Sequence, residues 1–256
     1  DTQLGEYLSF GYLSSERTMF RGIRKLMPGH WLRIRLTGGE PQMEIQRYWD
    51  VPVVPADNPW STEAEWIAEC RRRLEETVQM RLMSDVPLGV FLSGGVDSSA
   101  IAALTARMTS GEPIKTFSVG YAEAAYSELP YAQQVAKLIG SDHHEVKVGM
   151  EDFFDALPTL IWHEDEPITW PSSVSLYFVA KLAASHVTVV LTGEGSDELF
   201  AGYPTYRADQ LFSLWRHIPG RARSTLEKLA SVLHRPSYKK ISFDYKLRRF
   251  LSASGK

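Results

Sequence analysis

Apolar and polar residues alternate in two short stretches near the start of the chain. The segments "HWLRIRL" (His30–Leu36) and "MEIQRYW" (Met43–Trp49) have the period of two that is typical of strands, and "TGG" lies between them. This pattern predicts a β-hairpin. Because a segment with one hairpin buries little surface, we expect residues 1–50 to pack onto the following chain or to be the tail of a domain whose beginning is missing.

A proline-rich segment, "VPVVPADNPW" (Val51–Trp60), follows the hairpin and predicts a linker. In the next segment Ser61 or Thr62 can cap a helix, because both residue types accept hydrogen bonds from first-turn N–H groups. Apolar residues then recur at the helical period of 3.6: Trp66, Ile67, Cys70, Leu74 and Val78. The pattern predicts a helix with one apolar face, on which Cys70 is a packed core thiol.

Beyond Pro87, short apolar runs alternate with helical patterns. The predicted order is strand Leu88–Leu92, helix Ser98–Met108, strand "KTFSVGY", helix Pro130–Ile139, strand "HHEVKV", helices Glu151–His163 and Ser172–Ser185, and strand "VTVVLTG". Strands separated by helices pair in parallel through right-handed crossovers. The chain therefore predicts an α/β fold, a doubly wound and mainly parallel sheet with helices on both faces, and such sheets bind ligands at the carboxyl ends of their strands.

Composition excludes several classes of function. The formal net charge of -3 lacks the basic excess of a general nucleic-acid binder. The chain has neither an apolar run long enough to span a membrane nor the layout of a signal peptide in its first residues. One cysteine excludes an intrachain disulfide and a cysteine-rich metal site. We therefore expect a cytoplasmic protein without nucleic-acid or membrane partners.

The segment "SGGVDSS" (Ser93–Ser99) lies between a predicted strand and a predicted helix. Its backbone N–H groups and the helix N-terminus suit an anion, and its serine hydroxyls can donate to phosphate oxygens. Gly94 and Gly95 let the backbone turn tightly, while Asp97 suits a polyphosphate if Mg²⁺ lies between them. The alternative is an ordinary turn in which Asp97 or Ser98 caps the helix.

Two better-known loops do not fit this segment. A Walker P-loop ends in Gly-Lys-Ser/Thr, and no lysine lies between Val78 and Thr109. A nucleophile elbow has glycine two places before its serine, where this chain has Phe91. The segment instead resembles the pyrophosphate-binding loop of the N-type ATP pyrophosphatases, a superfamily that includes GMP, NAD and argininosuccinate synthetases and tRNA thiolases.

A second segment, "TGEGSDELFAGY" (Thr192–Tyr203), narrows the resemblance. Glu194, Asp197 and Glu198 would repel one another unless a cation or solvent separated them, so a solvated acidic turn is the alternative reading. The segment resembles "SGEGSDE-x-F-x-GY" of the glutamine-dependent asparagine synthetases. "KTFSVGY", "YAQQVAKLIGSDHHEVKV", "DEPITWPSS" and the early "IRKLMPGHWLRIRL…RYWD" are similar to segments of that family as well.

The resemblance implies a domain plan and a truncated chain. Residues 1–52 would be the C-terminal end of a glutaminase domain, 53–61 a linker, and 62–256 an ATP-pyrophosphatase synthetase domain whose C-terminal part is missing. The family's glutaminase uses an N-terminal cysteine, whereas this sequence starts with Asp1, so we expect no glutamine hydrolysis from it as given. Ser127 stands where many relatives have aspartate, which weakens a role for Glu128.

The resemblance also implies roles for single residues. Glu194 would form or protect the intermediate and take a proton, and Asp97 and Asp197 would hold Mg²⁺ as catalytic metal ligands. The residues around ATP would be Leu92, Ser93, Gly94, Gly95, Val96, Asp97, Ser98, Ser99, Val119, Thr192 and Gly193. The substrates would be ATP, aspartate and ammonia derived from glutamine, and family habit implies a homodimer.

Two other readings remain open at this point. Related adenylating enzymes close a ring, as β-lactam synthetases and lasso-peptide cyclases do, and a non-catalytic nucleotide-binding fragment is the reading from another class. The remaining polar clusters predict structural or solvated roles. His143 and His144 are adjacent on a strand and point to opposite faces. The "HEDE" run suits a solvated helix end, and the basic runs "RPSYKK" and "KLRR" near the C-terminus suit a solvated face or an interdomain contact.

Overall fold

A computed structural model describes residues 2–36, 38–52, 62–123, 126–167, 170–215 and 217–219. The chain divides into two compact units, Asp1–Thr192 and Gly193–Lys256. The predicted linker at 53–61 and the basic runs near the C-terminus lie outside the described residues. None of the helices described has the length and hydropathy of a membrane span.

The first unit begins with helix α1 (Thr2–Phe10) and an antiparallel hairpin, β1 (His30–Arg35) and β2 (Gln42–Arg47). The predicted hairpin is confirmed, whereas α1 was not predicted. The buried hydroxyl of Tyr7 donates to the carbonyl of Pro167, and Lys25 Nζ lies 3.6 Å from Glu166 Oε1. This early segment therefore packs onto the chain that follows it.

The rest of the first unit alternates between helices and strands. In order, its elements are α2 (Glu63–Arg81), β3 (Leu88–Phe91), α3 (Val96–Met108), β4 (Lys115–Tyr121), α4 (Leu129–Ile139), β5 (Asp142–Val148), α5 (Met150–Glu164), α6 (Ser172–Ala184) and β6 (Val189–Leu191). The second unit contains α7 (Ser196–Phe200) and α8 (Pro204–Trp215) among its described residues. Each predicted element after Pro87 is present within about two residues of its expected bounds, in line with the usual uncertainty of helix ends.

Helix α2 confirms its predicted cap and corrects its predicted face. Thr62 Oγ1 accepts from the N–H of Glu65 at 3.3 Å, and the Glu65 carboxylate accepts from the N–H of Thr62 at 3.0 Å, which is a capping box. Cys70 is exposed, so its predicted burial is wrong. Trp66 is 45% exposed, whereas Val78 is buried. Helical spacing fixes which residues share a face, but a neighbouring element decides how much of that face is covered.

The central sheet has the strand order β5-β4-β3-β6, and all neighbouring strands are parallel. On one face, Val90 and Leu92 pack with Ala102 of α3 and with Ala132 and Ala136 of α4. Phe117 of β4 packs on the other face with α6 residues, chiefly Val179 and Ala183. Helices thus cover both faces, and the predicted doubly wound α/β fold is confirmed.

The strand order reverses at β3. From β3 the chain adds β4 and then β5 on one side, and it later returns to add β6 on the other side. In doubly wound sheets such a reversal opens a crevice outside the carboxyl ends of the two strands, because their connections leave toward opposite faces. The crevice of this sheet lies after Phe91 and after Leu191.

Phe117 offers a test of this packing. Its side chain is fully buried between β4 and α6, so Phe117→Ala should lower the free energy of unfolding by about 3–5 kcal/mol. Phe154→Ala is the matched control, because that side chain is 60% exposed on α5. Urea unfolding measures both variants, and equal losses for the two would contradict the packing described.

Candidate active site

The loop after β3 starts from a rigid position. The N–H of Leu92 donates to the carbonyl of Phe117 at 2.9 Å, and the hydroxyl of Ser118 donates to the carbonyl of Leu92. The Leu92 side chain is buried in the core. Leu92 therefore continues the sheet pairing one residue beyond β3, so the direction in which the loop leaves the sheet is set by hydrogen bonds to both backbone groups of Leu92.

Two serines brace the loop against the first turn of α3. Ser93 Oγ lies 2.8 Å from Ser98 Oγ, and the Ser98 hydroxyl also accepts from the N–H of Ser93 at 3.2 Å. The N–H of Gly95 donates to Ser93 Oγ at 3.2 Å. The sequence predicted that these hydroxyls donate to phosphate. The structure adds that they hold the loop to its helix, a contact that the sequence pattern did not predict.

Gly94 occupies a position that only glycine can take. Its φ is +82°, in the left-handed region, and a Cβ there would lie 2.5 Å from the backbone nitrogen of Ala132 and 2.6 Å from the carbonyl carbon of Tyr131. The N-terminal turn of α4 thus blocks any side chain at this point. Because the obstacle is largely backbone, a larger residue would displace the loop or the start of α4.

The N-terminus of α3 presents backbone donors and a carboxylate at the same end of the sheet. Gly95 is its N-cap, without a side-chain hydrogen bond to the first turn. Val96 and Asp97 are exposed in that turn. Ser99 Oγ is buried and has no hydrogen-bond partner among the described residues. An unpaired buried hydroxyl costs folding free energy, and a bound group could supply the missing partner. First-turn N–H groups and the positive end of the helix dipole favour an anion here.

The neighbouring strand ends at the same edge of the sheet. Val90 of β3 is in register with Leu191 of β6, so Leu92 and Thr192 continue adjacent parallel strands. Val119 lies two residues before the end of β4 on the other side of β3. Within the first unit, the structure therefore brings together the predicted ATP residues Leu92, Ser93–Ser99, Val119 and Thr192 at one sheet edge.

The second unit carries the acidic motif on a tight turn. Gly195 has φ +90° and is the N-cap of α7, which contains Asp197 and Glu198. Glu194 is exposed, and Asp197 is half-buried. The hydroxyl of Tyr203 donates to Glu198 Oε1 at 2.7 Å, a contact that the sequence analysis did not identify. The two residues are five apart in sequence, a spacing that by itself does not predict a contact.

A family model described as asparagine synthase matches residues 69–252. The chain belongs to the asparagine synthase family. This match covers most of the chain, including both the loop after β3 and the acidic motif of the second unit. The family predicted from the two segments is thereby confirmed.

Named relatives agree with this assignment. The chain is 34% identical to asparagine synthetase [glutamine-hydrolyzing] 1 of Bacillus subtilis over 230 residues, which are 90% of this chain and 35% of that protein. It is also 34% identical over 210 residues to amidase chyE of Penicillium rubens, with 76% of this chain and 31% of that protein covered. The chain thus spans about a third of the length of these curated relatives.

A solved structure of NH3-dependent NAD synthetase from Campylobacter jejuni is a distant structural neighbour. It has a TM-score of 0.38 and 16% sequence identity, and the similarity covers 53% of this chain and 60% of that one. This similarity is too low to carry an argument about fold or function. The fold class therefore rests on the strand order and pairing of the chain itself.

The adjacent histidines of β5, His143 and His144, contact neighbouring side chains of the sheet. His143 Nδ1 lies 2.8 Å from Thr116 Oγ1, and its Nε2 lies 3.1 Å from Glu145 Oε1. His144 stacks on Phe117 at 5.4 Å between ring centroids, on the opposite side of the strand. The prediction that the two side chains point to opposite faces and pack structurally is confirmed.

The carboxylate of Asp97 suits Mg²⁺ that is also bound by substrate phosphates and water. The described residues contain no group of three or more His, Cys, Asp or Glu side chains that could hold a metal by themselves. Mg²⁺ commonly binds through one or two carboxylates together with substrate phosphates and water. The exposed carboxylate of Asp97, beside the anion-favouring end of α3, fits this mode.

The crowding at Gly94 gives a direct test of the loop geometry. Gly38 also has positive φ, +62°, but a Cβ there would meet open space. Gly38→Ala should cost about 1 kcal/mol of folding free energy through backbone strain alone. Gly94→Ala should cost clearly more, about 2 kcal/mol or above, because the start of α4 must also move. Thermal denaturation compares the two variants, and an equal loss would contradict the close approach described.

Proposed function

We propose that this chain is the synthetase part of an ATP-dependent amide ligase. In this proposal it adenylates the side-chain carboxylate of aspartate and transfers the acyl group to ammonia, giving asparagine, AMP and pyrophosphate. The observation that carries the proposal is the reversal of strand order at β3, with the "SGGVDSS" loop after β3 and the "TGEGSDE" segment after β6. Membership of the asparagine synthase family supports it.

The loop after β3 is proposed to hold the phosphates of ATP. The uncapped first turn of α3, the close backbone approach at Gly94 and the buried hydroxyl of Ser99 all suit an anionic ligand. Leu92, Val119, Thr192 and Gly193 would surround the rest of the nucleotide. In this proposal the phosphate contacts would come mainly from the backbone, so the loop would need no lysine.

Asp97 and Asp197 are proposed to be the protein ligands of Mg²⁺. When bound, the ion would neutralise charge on the departing pyrophosphate. Each of the two carboxylates would offer the oxygen that a hard cation prefers. Positioning and charge stabilisation dominate such phosphoryl chemistry, since little covalent chemistry is left to side chains.

The proposed reaction has two balanced steps. A carboxylate oxygen of aspartate attacks the α-phosphorus, and the bond from that phosphorus to the β-bridging oxygen breaks, so pyrophosphate leaves with the electron pair. Ammonia then attacks the acyl carbon, loses a proton to Glu194, and AMP leaves with the electrons of the acyl–oxygen bond. Glu194 is exposed, so it can reach a bound substrate.

The surrounding protein is part of the same proposal. Residues 1–52 would close a glutaminase domain that delivers ammonia. The apolar hairpin face formed by Leu32, Ile34, Met43 and Ile45 is exposed and suits cover by further chain. The limits of the linker and synthetase domain, a cytoplasmic location and a homodimer stay predictions from the sequence and its family.

Asp97→Ala tests the first step. In the full-length protein it should lower ATP-dependent pyrophosphate release by at least about 100-fold, because one metal anchor and its charge are lost. Asp85→Ala is the matched control, since Asp85 is exposed near the opposite, amino end of β3. Pyrophosphate is measured with and without aspartate, and release at the wild-type rate in Asp97→Ala would refute the assignment.

Glu194→Ala tests the second step. The variant should bind ATP but make asparagine at least about 100-fold more slowly, because the proton acceptor for the attacking ammonia is missing. Nucleotide binding by calorimetry is the internal control for folding. Normal asparagine formation in this variant would show that the role given to Glu194 is wrong. A cyclised product in place of asparagine would instead support the ring-closing alternative.

A further inference from the structure

The chain turns back sharply after α7. Helix α7 ends at Phe200, and Ala201 follows in the left-handed conformation with φ +55°. The N–H of Gly202 donates to the carbonyl of Asp197 at 3.0 Å, so that residue 202 lies over the turn containing Asp197. A non-glycine residue in the left-handed region costs energy, and the hydrogen bond offsets part of it.

Gly202 leaves room for the Asp197 side chain. A Cβ at position 202 would overlap Oδ1 of Asp197, 2.9 Å from its Cγ and 3.3 Å from its Cα. Gly202 lies outside the left-handed region, so the position needs glycine for space and not for backbone conformation. The overlapping atom is the end of a side chain. A methyl group at 202 is therefore expected to push the carboxylate aside while the fold persists.

Tyr203 contacts the next acidic residue. Its hydroxyl donates to Glu198 Oε1 at 2.7 Å, and its ring lies 6.0 Å from the ring of Tyr206. The pKa of Tyr203 is raised to about 12, first by this hydrogen bond and then by burial and by the charges of Glu198, Asp197 and Glu194. A tyrosine hydroxyl is protonated at neutral pH even with its ordinary pKa, so it is the donor in this hydrogen bond.

We propose that Gly202 and Tyr203 are positioning residues for the acidic side chains of this turn. Gly202 sets the place of the Asp197 carboxylate by the space it leaves, and Tyr203 sets the orientation of the Glu198 carboxylate by its hydrogen bond. The inference rests on the proposed function, in which Asp197 holds Mg²⁺. Neither residue is proposed to touch substrate. Both act through the carboxylates beside them.

Gly202→Ala in the full-length protein tests the first half. Mn²⁺ affinity of the protein with bound ATP, measured by electron paramagnetic resonance, should fall by about 10-fold or more, a usual effect of moving a metal ligand through its neighbour. Gly5→Ala is the matched control, because a Cβ there meets open space and its φ is not positive. Gly202→Ala should add little to Asp197→Asn, since both changes remove the same ligand.

A stability comparison tests the steric contact without any metal. Whatever melting temperature Gly202→Ala loses should be regained in an Asp197→Ala background, where the obstructing carboxylate is absent. This comparison also decides the case in which Gly202→Ala alone does not fold, because the double variant should then fold. Equal losses in both backgrounds, or wild-type Mn²⁺ affinity in Gly202→Ala while Asp197→Asn binds weakly, would overturn the inference.

Measurements on Asp197→Asn distinguish a failure of the proposed function from a failure of the positioning role of Gly202. If Asp197→Asn binds Mn²⁺ and releases pyrophosphate like the wild type, the role of Asp197 as metal ligand is wrong. The stability comparison would still decide whether Gly202 sets the place of its carboxylate.

Tyr203→Phe tests the second half, with Tyr206→Phe as the control that keeps the ring pair. Tyr203→Phe should lower the rate constant of pyrophosphate release by about 10-fold with little change in KM for ATP, because the Glu198 carboxylate, next to the proposed metal ligand Asp197, would no longer be held in place. In a cycle with Glu198→Gln the two effects should not add. Additive effects, or an unchanged rate in Tyr203→Phe, would contradict the positioning role.

Discussion

The parallel pairing of β3 with β4 on one side and β6 on the other is the interaction on which the arrangement depends. It buries Val90 among helices and places the ends of three strands at one edge. Hydrogen bonds to Leu92 extend the pairing with β4 beyond the last strand residue, so the following loop starts from a fixed point. Without this pairing, Leu92 and Thr192 would not lie at the same edge of the sheet.

Backbone conformation and backbone N–H groups, more than side chains, suit the loop after β3 to bind an anion. The left-handed conformation of Gly94 and its contact with the start of α4 leave no room for a side chain, and Ser93 and Ser98 hold the loop closed through their hydroxyls. The N-terminus of α3 then supplies donors without a positively charged residue. A loop without a positively charged residue suits an anionic ligand whose charge is partly neutralised by a metal ion. Asp97 is proposed to bind that ion.

Much of the fold could be predicted from the sequence, because alternating strands and helices leave strong periodic patterns. "KTFSVGY" is strand β4 at its predicted bounds, and Thr62 caps α2 as its residue type indicates. Burial was harder to predict. Helical spacing placed Cys70 on an apolar face, but that part of α2 is exposed, since a pattern does not say where the neighbouring element ends.

In the candidate site, too, the motifs could be predicted from the sequence, whereas the contacts between their residues could not. Motif residues could be identified because glycines and acids cluster after strands. The contacts between Ser93 and Ser98, and the space that Gly202 leaves for Asp197, could not, because they depend on how a turn folds back in three dimensions. The sequence analysis did not predict helix α1. Several apolar residues of this helix, including Leu4 and Leu8, are exposed in the structure.

The central claim is that a carboxylate oxygen attacks the α-phosphorus of ATP at this sheet edge. Incubating the full-length protein with ATP, ammonia and aspartate labelled with ¹⁸O in its side-chain carboxylate tests this claim most directly. Mass spectrometry of the nucleotide product should find AMP carrying one ¹⁸O atom from each labelled aspartate consumed. Unlabelled AMP, or ADP with inorganic phosphate in place of AMP and pyrophosphate, would contradict the account.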